Sequence, residues 1–457
     1  MSRYDAIVIG SGQAGNPLSF KLADHGWTVA LVEKDHLGGT CINTGCTPTK
    51  TMVASAQVAY YARNAARWGV RAGDVSVDLA KIVARKDQVV LQSRSGLERK
   101  AQQRPNLHLY RGHGRFQGPH SVRVGDQVLE GERLFVDTGC RPSIPRIEGL
   151  DQAGYLTNAS IMRLTDLPEH LLVLGGGYVG LEFGQMFRRF GSRVTVVHSA
   201  EQILPREDAD VARELQNTLE AEGIRLLLKA QTTRVERDDG QVVLRLEGGD
   251  GAEGVRGSHL LVATGRRPNT DDLGLETTGV ETTPRGFVRV NGRLETNVPG
   301  SWALGDVNGG PAFTHIAYND YQIVFANLIE GKDLSTANRL VPDAVFTDPQ
   351  LGRVGMTEKE ARAAGRRLKI GKIPMSWVAR AVERDETAGS MKIVVDSETD
   401  RILGAAILSS EGGELVQILE FVMRAGAPYT LLKGAVYIHP TLAEGLWTLM
   451  EAVKPVD

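Results

Sequence analysis

The chain has 457 residues, 42% of them apolar and 24% charged, with a formal net charge of −2. That length is enough for about three domains with sizeable cores, and the near-neutral charge, with no long basic block, excludes an electrostatic footprint for nucleic acid or an anionic membrane. No apolar run approaches the ~20 residues of a membrane span, and a strand pattern begins at Asp5–Ile9 without a charged leader, so a cytoplasmic protein is expected.

In chain order, the apolar strand Ala6–Ile9 runs into Gly10-x-Gly12-x-x-Gly15, then a helix with Pro17 near its first turn, then a strand Val29–Val32 ending at Glu33. Glycines at this spacing allow a tight turn and a close backbone approach, so that a pyrophosphate can rest on the helix N-terminus. An acidic residue closing the second strand is suited to hydrogen-bond a ribose hydroxyl, and Glu33 stands there.

Next comes Gly38-Gly39-Thr40-Cys41-Ile42-Asn43-Thr44-Gly45-Cys46-Thr47-Pro48-Thr49-Lys50. Five steps are too many for neighbours on a regular helix, where contacts fall at three and four. A Cys41–Cys46 bridge therefore needs a distorted turn that brings the Cα atoms to roughly 5.5 Å. Asn43, Thr44 and Gly45 supply turn chemistry, with a positive φ within reach at Gly45. The stretch Met52–Trp68 reads as a helix, which puts Cys46 near a helix N-terminus where the dipole favours thiolate. Two thiols just beyond a dinucleotide fingerprint read as a redox disulfide beside a flavin. Three cysteines in so long a chain form no structural framework, and Cys140 reads as a small packed side chain.

Leu134–Gly139 and Leu260–Gly265 are both apolar strands closing on Thr-Gly, each followed by Arg and Pro, and read as crossovers between domains. Between them lies a second fingerprint: strand Leu171–Leu174, Gly175-x-Gly177-x-x-Gly180, a helix to about Phe190, and strand Arg193–Val197 ending at His198. After Trp302–Leu304 come Gly305-Asp306, a glycine turn and a helix over Thr314–Leu328. From about Val341 onward, strands at Val345–Thr347, Met391–Asp396 and Ile402–Leu408 alternate with helices after Glu411 and Tyr429, and Thr357 with Glu360 forms a capping box. This part has no fingerprint and reads as an α+β module for association.

The two fingerprints, the Cys41/Cys46 box, Thr138-Gly139, Glu182, Thr264–Asn269, Gly305-Asp306 and His439-Pro440-Thr441-x-x-Glu444 together resemble the pyridine nucleotide–disulfide oxidoreductases. That family contains glutathione reductase, dihydrolipoamide dehydrogenase and mercuric reductase, and the resemblance runs from Asp5 to Glu451. Among its subgroups the chain looks closest to the mercuric-reductase-like and reactive-chlorine-resistance-type flavoproteins, on the Cys-Thr-Pro-Thr-Lys box and the Asp306–Tyr321 segment. The resemblance implies an α/β fold with two Rossmann-like dinucleotide-binding domains and a C-terminal α+β dimerisation domain. Their expected extents are 1–142 with 266–335 for FAD, 143–265 for NAD(P)H and 336–457 for dimerisation.

Carried over residue by residue, the resemblance implies FAD at Gly10, Gly12, Gly15, Glu33, Gly39, Thr40, Thr138, Gly139 and Asp306, with the helix opening at Thr314 aimed at the flavin pyrimidine. NAD(P)H would lie at Gly175, Gly177, Gly180, His198 and Gly265. Lys50 and Glu182 match an ion pair beside the flavin, and Tyr178 matches a gate that covers the flavin until nicotinamide displaces it. His439 and Glu444 match an acid–base pair that reaches the disulfide of the partner subunit, which implies an obligate homodimer with composite active sites and no resident metal. His198 stands where NAD-specific sites carry a carboxylate, so NADPH is expected, with NADH as the alternative. Mercuric reductases typically end in a vicinal cysteine pair and place tyrosine where this chain has His439. Val453–Asp457 holds no thiol, which argues against efficient Hg(II) delivery. The expected acceptor is a disulfide, an oxidant or a soft metal ion. The competing readings are an NAD-linked dihydrolipoamide dehydrogenase and a redox-sensing flavoprotein with little turnover.

Overall fold

The protein is described by a computed structural model over residues 2–249 and 254–456. Met1 and Asp457, the outer limits of the expected first and third domains, lie outside the described residues, as do 250–253 within the expected second domain.

The strands Leu107–Arg111, Val29–Glu33, Ser2–Ile9 and Gln127–Val136 form, in that order, the parallel part of the first sheet. Ser121–Val124 pairs antiparallel with the first half of Gln127–Val136, and Ser301–Ala303 pairs parallel with its last residues. Ala6, Ile7, Val8 and Val29–Val32 are all buried, the continuous apolar run of strands covered on both faces. The helices Gly15–Asp24 and Thr314–Ile329 cover one face, sharing a core with Leu18, Leu22, Leu31 and Val324. Register then decides where chemistry gathers. Ile9 lies opposite both Val32 and Val136, and Ala303 lies opposite Val136, so Gly10, Glu33, Asp137 and Gly305 emerge together at the carboxyl edge.

The second parallel sheet runs Ile224–Leu227, Arg193–Val197, His170–Leu174, His259–Val262. Leu174 lies opposite Val197 and Val262, which brings Gly175, His198 and Ala263 to one edge. Cys140–Pro142 and Arg266–Pro268 pair antiparallel, so the two crossovers expected from the Thr-Gly echoes run side by side.

The C-terminal part is a six-stranded antiparallel sheet ordered Asp343–Val345, Gln350–Gly355, Ile402–Ser409, Ser390–Asp396, Leu368–Pro374, Lys454–Val456. Helices Gly412–Arg424 and Gly445–Glu451 pack on it around Ile393, Ile407, Leu419 and Leu446. Thr357 and Glu360 form the expected capping box. The strand expected at Val345–Thr347 lies two residues earlier. Past Val345 the chain leaves the ladder because Thr347 Oγ1 donates to the Pro349 carbonyl at 2.8 Å and Asp348 is claimed by Gln185. The helix expected after Tyr429 is one short turn, Thr430–Lys433. The 24-residue helix Leu79–Gln102 was not legible, because Leu79, Val83, Val90 and Ala101 are the only apolar residues it buries and they are too sparse for a clear period. Among the described residues no helix is long and apolar enough to cross a membrane.

Candidate active site

The cysteine box folds as two helices meeting at a break. Gly39–Asn43 is a single turn, and Cys46–Asn64 starts a new helix with Gly45 as its cap. Gly45 has φ −129°, so the positive φ within reach there is not adopted. Glycine is needed instead because a Cβ would stand 2.8 Å from the Thr40 carbonyl oxygen. Asn43 ties the short turn down by donating to the Leu37 and Gly39 carbonyls at 3.1 and 2.9 Å, while Arg94 donates twice to its Oδ1 at 3.0 and 2.8 Å. Arg94 comes from the long helix that carried no sequence signal. Gly39, at φ +57°, presses its backbone on Gly12, where a Cβ would stand 2.8 Å from the Gly12 Cα. The dithiol box is thereby fixed to the first fingerprint.

Both cysteines are present as thiols, Cys46 at the helix N-terminus as expected. The Cys46 sulfur lies 3.2 Å from Thr314 Oγ1, at the opening of the helix Thr314–Ile329. The hydrogen bond from Cys41 draws the Cys46 thiol down to about 6, against the opposing effect of burial, with the Thr314 hydroxyl and the Lys50 charge assisting. Cys41 is pushed up by the same bond and by burial, so it keeps its proton. Lys50 Nζ pairs with Glu182 Oε2 at 2.7 Å, and Glu182 Oε1 also accepts from the Phe346 amide at 2.9 Å. Cys140 is buried apart from the pair, with burial raising its thiol to about 12, in keeping with a packed side chain.

At the first fingerprint, a Cβ on Gly10 would stand 2.2 Å from the Asp137 carbonyl oxygen and one on Gly15 2.2 Å from the Gly10 carbonyl oxygen. Glu33 Oε2 accepts from the Ser11 amide at 3.0 Å, and Oε1 from the Asp35 amide at 2.8 Å, which holds the carboxylate at the mouth of the loop. Asp137, immediately before Thr138-Gly139, was not singled out from sequence. Its Oδ2 accepts from the Gly15 amide at 2.7 Å, and burial pushes its carboxyl well above the usual range. Asp306 pairs with Arg266 at 3.4 Å and is raised by burial. Asp320, also unremarked in the sequence, holds that turn by accepting from the Gly305 amide at 2.9 Å and from Arg339 at 2.6 Å. Thr138 and Asn269 exchange hydrogen bonds at 3.0 and 2.7 Å, so the Thr138 hydroxyl is spent on the crossover. Gly139 and Gly265 take φ +65° and +118° at the same crossing.

The second fingerprint makes a similar cradle. A Cβ on Gly175 would stand 2.4 Å from the Ala263 carbonyl oxygen and one on Gly180 2.0 Å from the Gly175 carbonyl oxygen, whereas a Cβ on Gly177 would meet nothing within 4 Å. Packing therefore dictates Gly175 and Gly180, and the open space over Gly177 fits a pyrophosphate at the helix N-terminus. The His198 ring lies against Gly176, with its Nε2 buried and without a protein partner, and burial lowers its pKa. Tyr178 begins the helix Tyr178–Phe190, and its hydroxyl donates to Asp343 Oδ1 at 2.8 Å. The fold thus brings Cys41, Cys46, Lys50, Glu182 and Thr314 together. His439 and Glu444 form their own pair, Nδ1 to Oε2 at 2.8 Å, with the His439 side chain 71% exposed.

Residues 4–320 match the family model of the pyridine nucleotide-disulphide oxidoreductases, and 341–450 match that family's dimerisation domain. The chain is 37% identical to the probable pyridine nucleotide-disulfide oxidoreductase RclA of Escherichia coli, covering 99% of this chain and 100% of the relative. It is 36% identical to a dihydrolipoyl dehydrogenase of Thermus scotoductus, covering 99% and 98%, and 32% identical to a mercuric reductase of Lysinibacillus sphaericus, covering 97% and 81%. Among solved structures, the Cu(II) complex of the HOCl-induced flavoprotein disulfide reductase RclA from E. coli superposes with a TM-score of 0.91 at 38% identity, covering 99% of this chain and 100% of that one. Sequence, fold and dimerisation module agree: the chain belongs to the pyridine nucleotide-disulphide oxidoreductases, enzymes that use FAD and NAD(P)H.

Proposed function

We propose that Cys41 and Cys46 carry the electrons of NAD(P)H to a disulfide substrate, with the partner subunit's His439 and Glu444 completing each site. The observation that carries this reading is the unequal setting of the two thiols: Cys46 stands at the N-terminus of the helix Cys46–Asn64, 3.2 Å from Thr314 Oγ1, where thiolate is favoured, whereas Cys41 lies in the short turn before it. A nucleophilic Cys41 then needs a base from elsewhere, and an exposed imidazole oriented by a carboxylate suits that need.

FAD, when bound, supplies the hydride-accepting ring that links nicotinamide to the disulfide. The residues present fit it: Gly10, Gly12 and Gly15 would take its pyrophosphate, Glu33 its ribose, and Asp306 with the Thr314 helix its remaining polar groups. Gly39 and Thr40 fasten the thiol box beside them. Gly175, Gly177, Gly180 and His198 would hold NAD(P)H, with NADPH favoured because His198 presents no negative charge to a 2′-phosphate. The domain limits 1–142 with 266–335, 143–265 and 336–457 are supported by the paired crossovers and by the two parallel sheets and the six-stranded antiparallel sheet, which fall one to each.

In turnover, His439 takes the Cys41 proton, and the Cys41 thiolate attacks one sulfur of the substrate disulfide. A mixed disulfide forms and one substrate thiolate leaves, receiving that proton from His439. Cys46 then attacks the Cys41 sulfur, which releases the second substrate thiolate and restores the Cys41–Cys46 bond. With Cys41 in the mixed disulfide, the Thr314 hydroxyl and the Lys50 charge are what favour anionic Cys46 for that step. His439→Gln should slow disulfide reduction by about 10² to 10⁴-fold, the usual range of general acid–base catalysis, while pre-steady-state reduction by NADPH continues. An unchanged exchange rate would remove His439 from the mechanism. A second acceptor, Cu(II) reduced one electron at a time by the dithiol, is favoured by the likeness to the Cu(II)-bound RclA structure. It would be indicated by Cu(II) turnover that is lost in Cys41→Ser and indifferent to His439→Gln.

A further inference from the structure

Four side chains on one face of the helix Tyr178–Phe190 are held by a single extended segment of the C-terminal part. Tyr178 donates to Asp343 Oδ1 at 2.8 Å, and Glu182 accepts from the Phe346 amide at 2.9 Å. Gln185 exchanges two hydrogen bonds with the Asp348 backbone at 2.8 and 2.7 Å, and Arg189 pairs with the Asp348 carboxylate at 2.8 Å. The spacings match: the helix rises about 17 Å from Tyr178 to Arg189, and extended chain covers about the same from Asp343 to Asp348.

Three of these contacts hold buried residues, since Glu182, Gln185 and Arg189 are each at most 6% exposed. Tyr178 differs. It is the first residue of the helix, half-buried beside exposed Val179, with its ring 6.2 Å from that of Phe313. Its ring can swing without disturbing the helix only by giving up the bond to Asp343. Burial raises the Asp343 carboxyl, opposed by the Tyr178 hydroxyl and the charges of Arg353, His315 and Arg206.

We propose that Asp343 is a positioning residue that latches the Tyr178 ring shut over the nicotinamide pocket, so that docking of the nicotinamide ring must break the Tyr178–Asp343 hydrogen bond. This rests on the gate reading of Tyr178 given above. A latched gate lowers apparent nucleotide affinity by the fraction of molecules that are open, and it does so only for ligands that carry the nicotinamide ring.

The test is calorimetric titration of the purified protein with NADP⁺ and NAD⁺, in parallel with 2′-phospho-ADP-ribose and ADP-ribose, which lack nicotinamide. Asp343→Ala and Tyr178→Phe should each tighten binding of the whole dinucleotide roughly tenfold and leave the ribose analogues unchanged. Asp343→Asn, which keeps an acceptor for the hydroxyl, should restore wild-type affinity. The double variant should bind no more tightly than either single one, because both remove the same bond. If Asp343→Ala misfolds, Tyr178→Phe still decides, since it removes the same bond from the other side. Unchanged dinucleotide affinity in both Asp343→Ala and Tyr178→Phe, with tighter binding in Tyr178→Ala, would overturn the latch and leave the gate standing. Unchanged affinity in Tyr178→Ala as well would overturn the gate itself.

Discussion

Cys41 and Cys46 have the same functional group, and their surroundings give them opposite characters. Cys46 sits at a helix N-terminus, accepts from Cys41, and lies near Thr314 and Lys50; Cys41 keeps its proton and shares it only as a hydrogen bond. Because the Cys41 hydrogen bond is the largest cause, Cys41→Ala should move the Cys46 titration upward from about 6. The ultraviolet thiolate absorbance of the reduced protein, followed against pH, measures this, and an unmoved midpoint would reject the hydrogen bond as the cause. Lys50→Met should shift it the same way by less. At the second nucleotide site, His198→Glu should turn kcat/KM toward NADH by adding a ribose acceptor and repelling a 2′-phosphate; a wild-type preference for NADH would contradict the reading of His198.

Within the second fingerprint, three glycines at fixed spacing do different work. Gly180→Ala would drive a Cβ to 2.0 Å from the Gly175 carbonyl oxygen, so overpacking should cost about 1–3 kcal/mol and lower Tm. Gly177→Ala meets nothing within 4 Å, so stability should hold to within about 0.5 kcal/mol and Tm should barely move, while NAD(P)H affinity falls. Thermal melts and nucleotide titrations of the two variants separate a packing glycine from a ligand glycine, and a Tm loss in Gly177→Ala would contradict the open space. Gly45 shows how such a reading can go astray. Its place in the turn was legible, yet the reason for glycine is the approach to Thr40, made by a residue five positions back whose distance no local rule supplies.

Across the whole molecule, the C-terminal part leaves Phe421, Leu431, Val436, Ile438 and Trp447 exposed, with Val436 100% and Ile438 79% accessible. Large apolar side chains left exposed within the segment matched to a dimerisation domain are the surface expected to meet the partner. Phe421→Glu with Val436→Glu should give monomers in sedimentation velocity. Those monomers should retain FAD but lose disulfide reduction, since each dithiol would lack its partner's His439; monomers with full exchange activity would reject the composite site. Both fingerprints, the thiol box, the crossovers and the His439–Glu444 pair are legible in the chain, because each is written in short-range spacing: glycines in a turn, two cysteines in one box, a capping pair. What Asp137, Asp320, Arg94 and Asp343 do is set by the folded arrangement. Each acts on a partner distant in the chain, as Asp137 does on Gly15 and Asp343 on Tyr178. The register of parallel strands and the packing of one domain on another bring such residues together, and neither leaves a local signature in the chain.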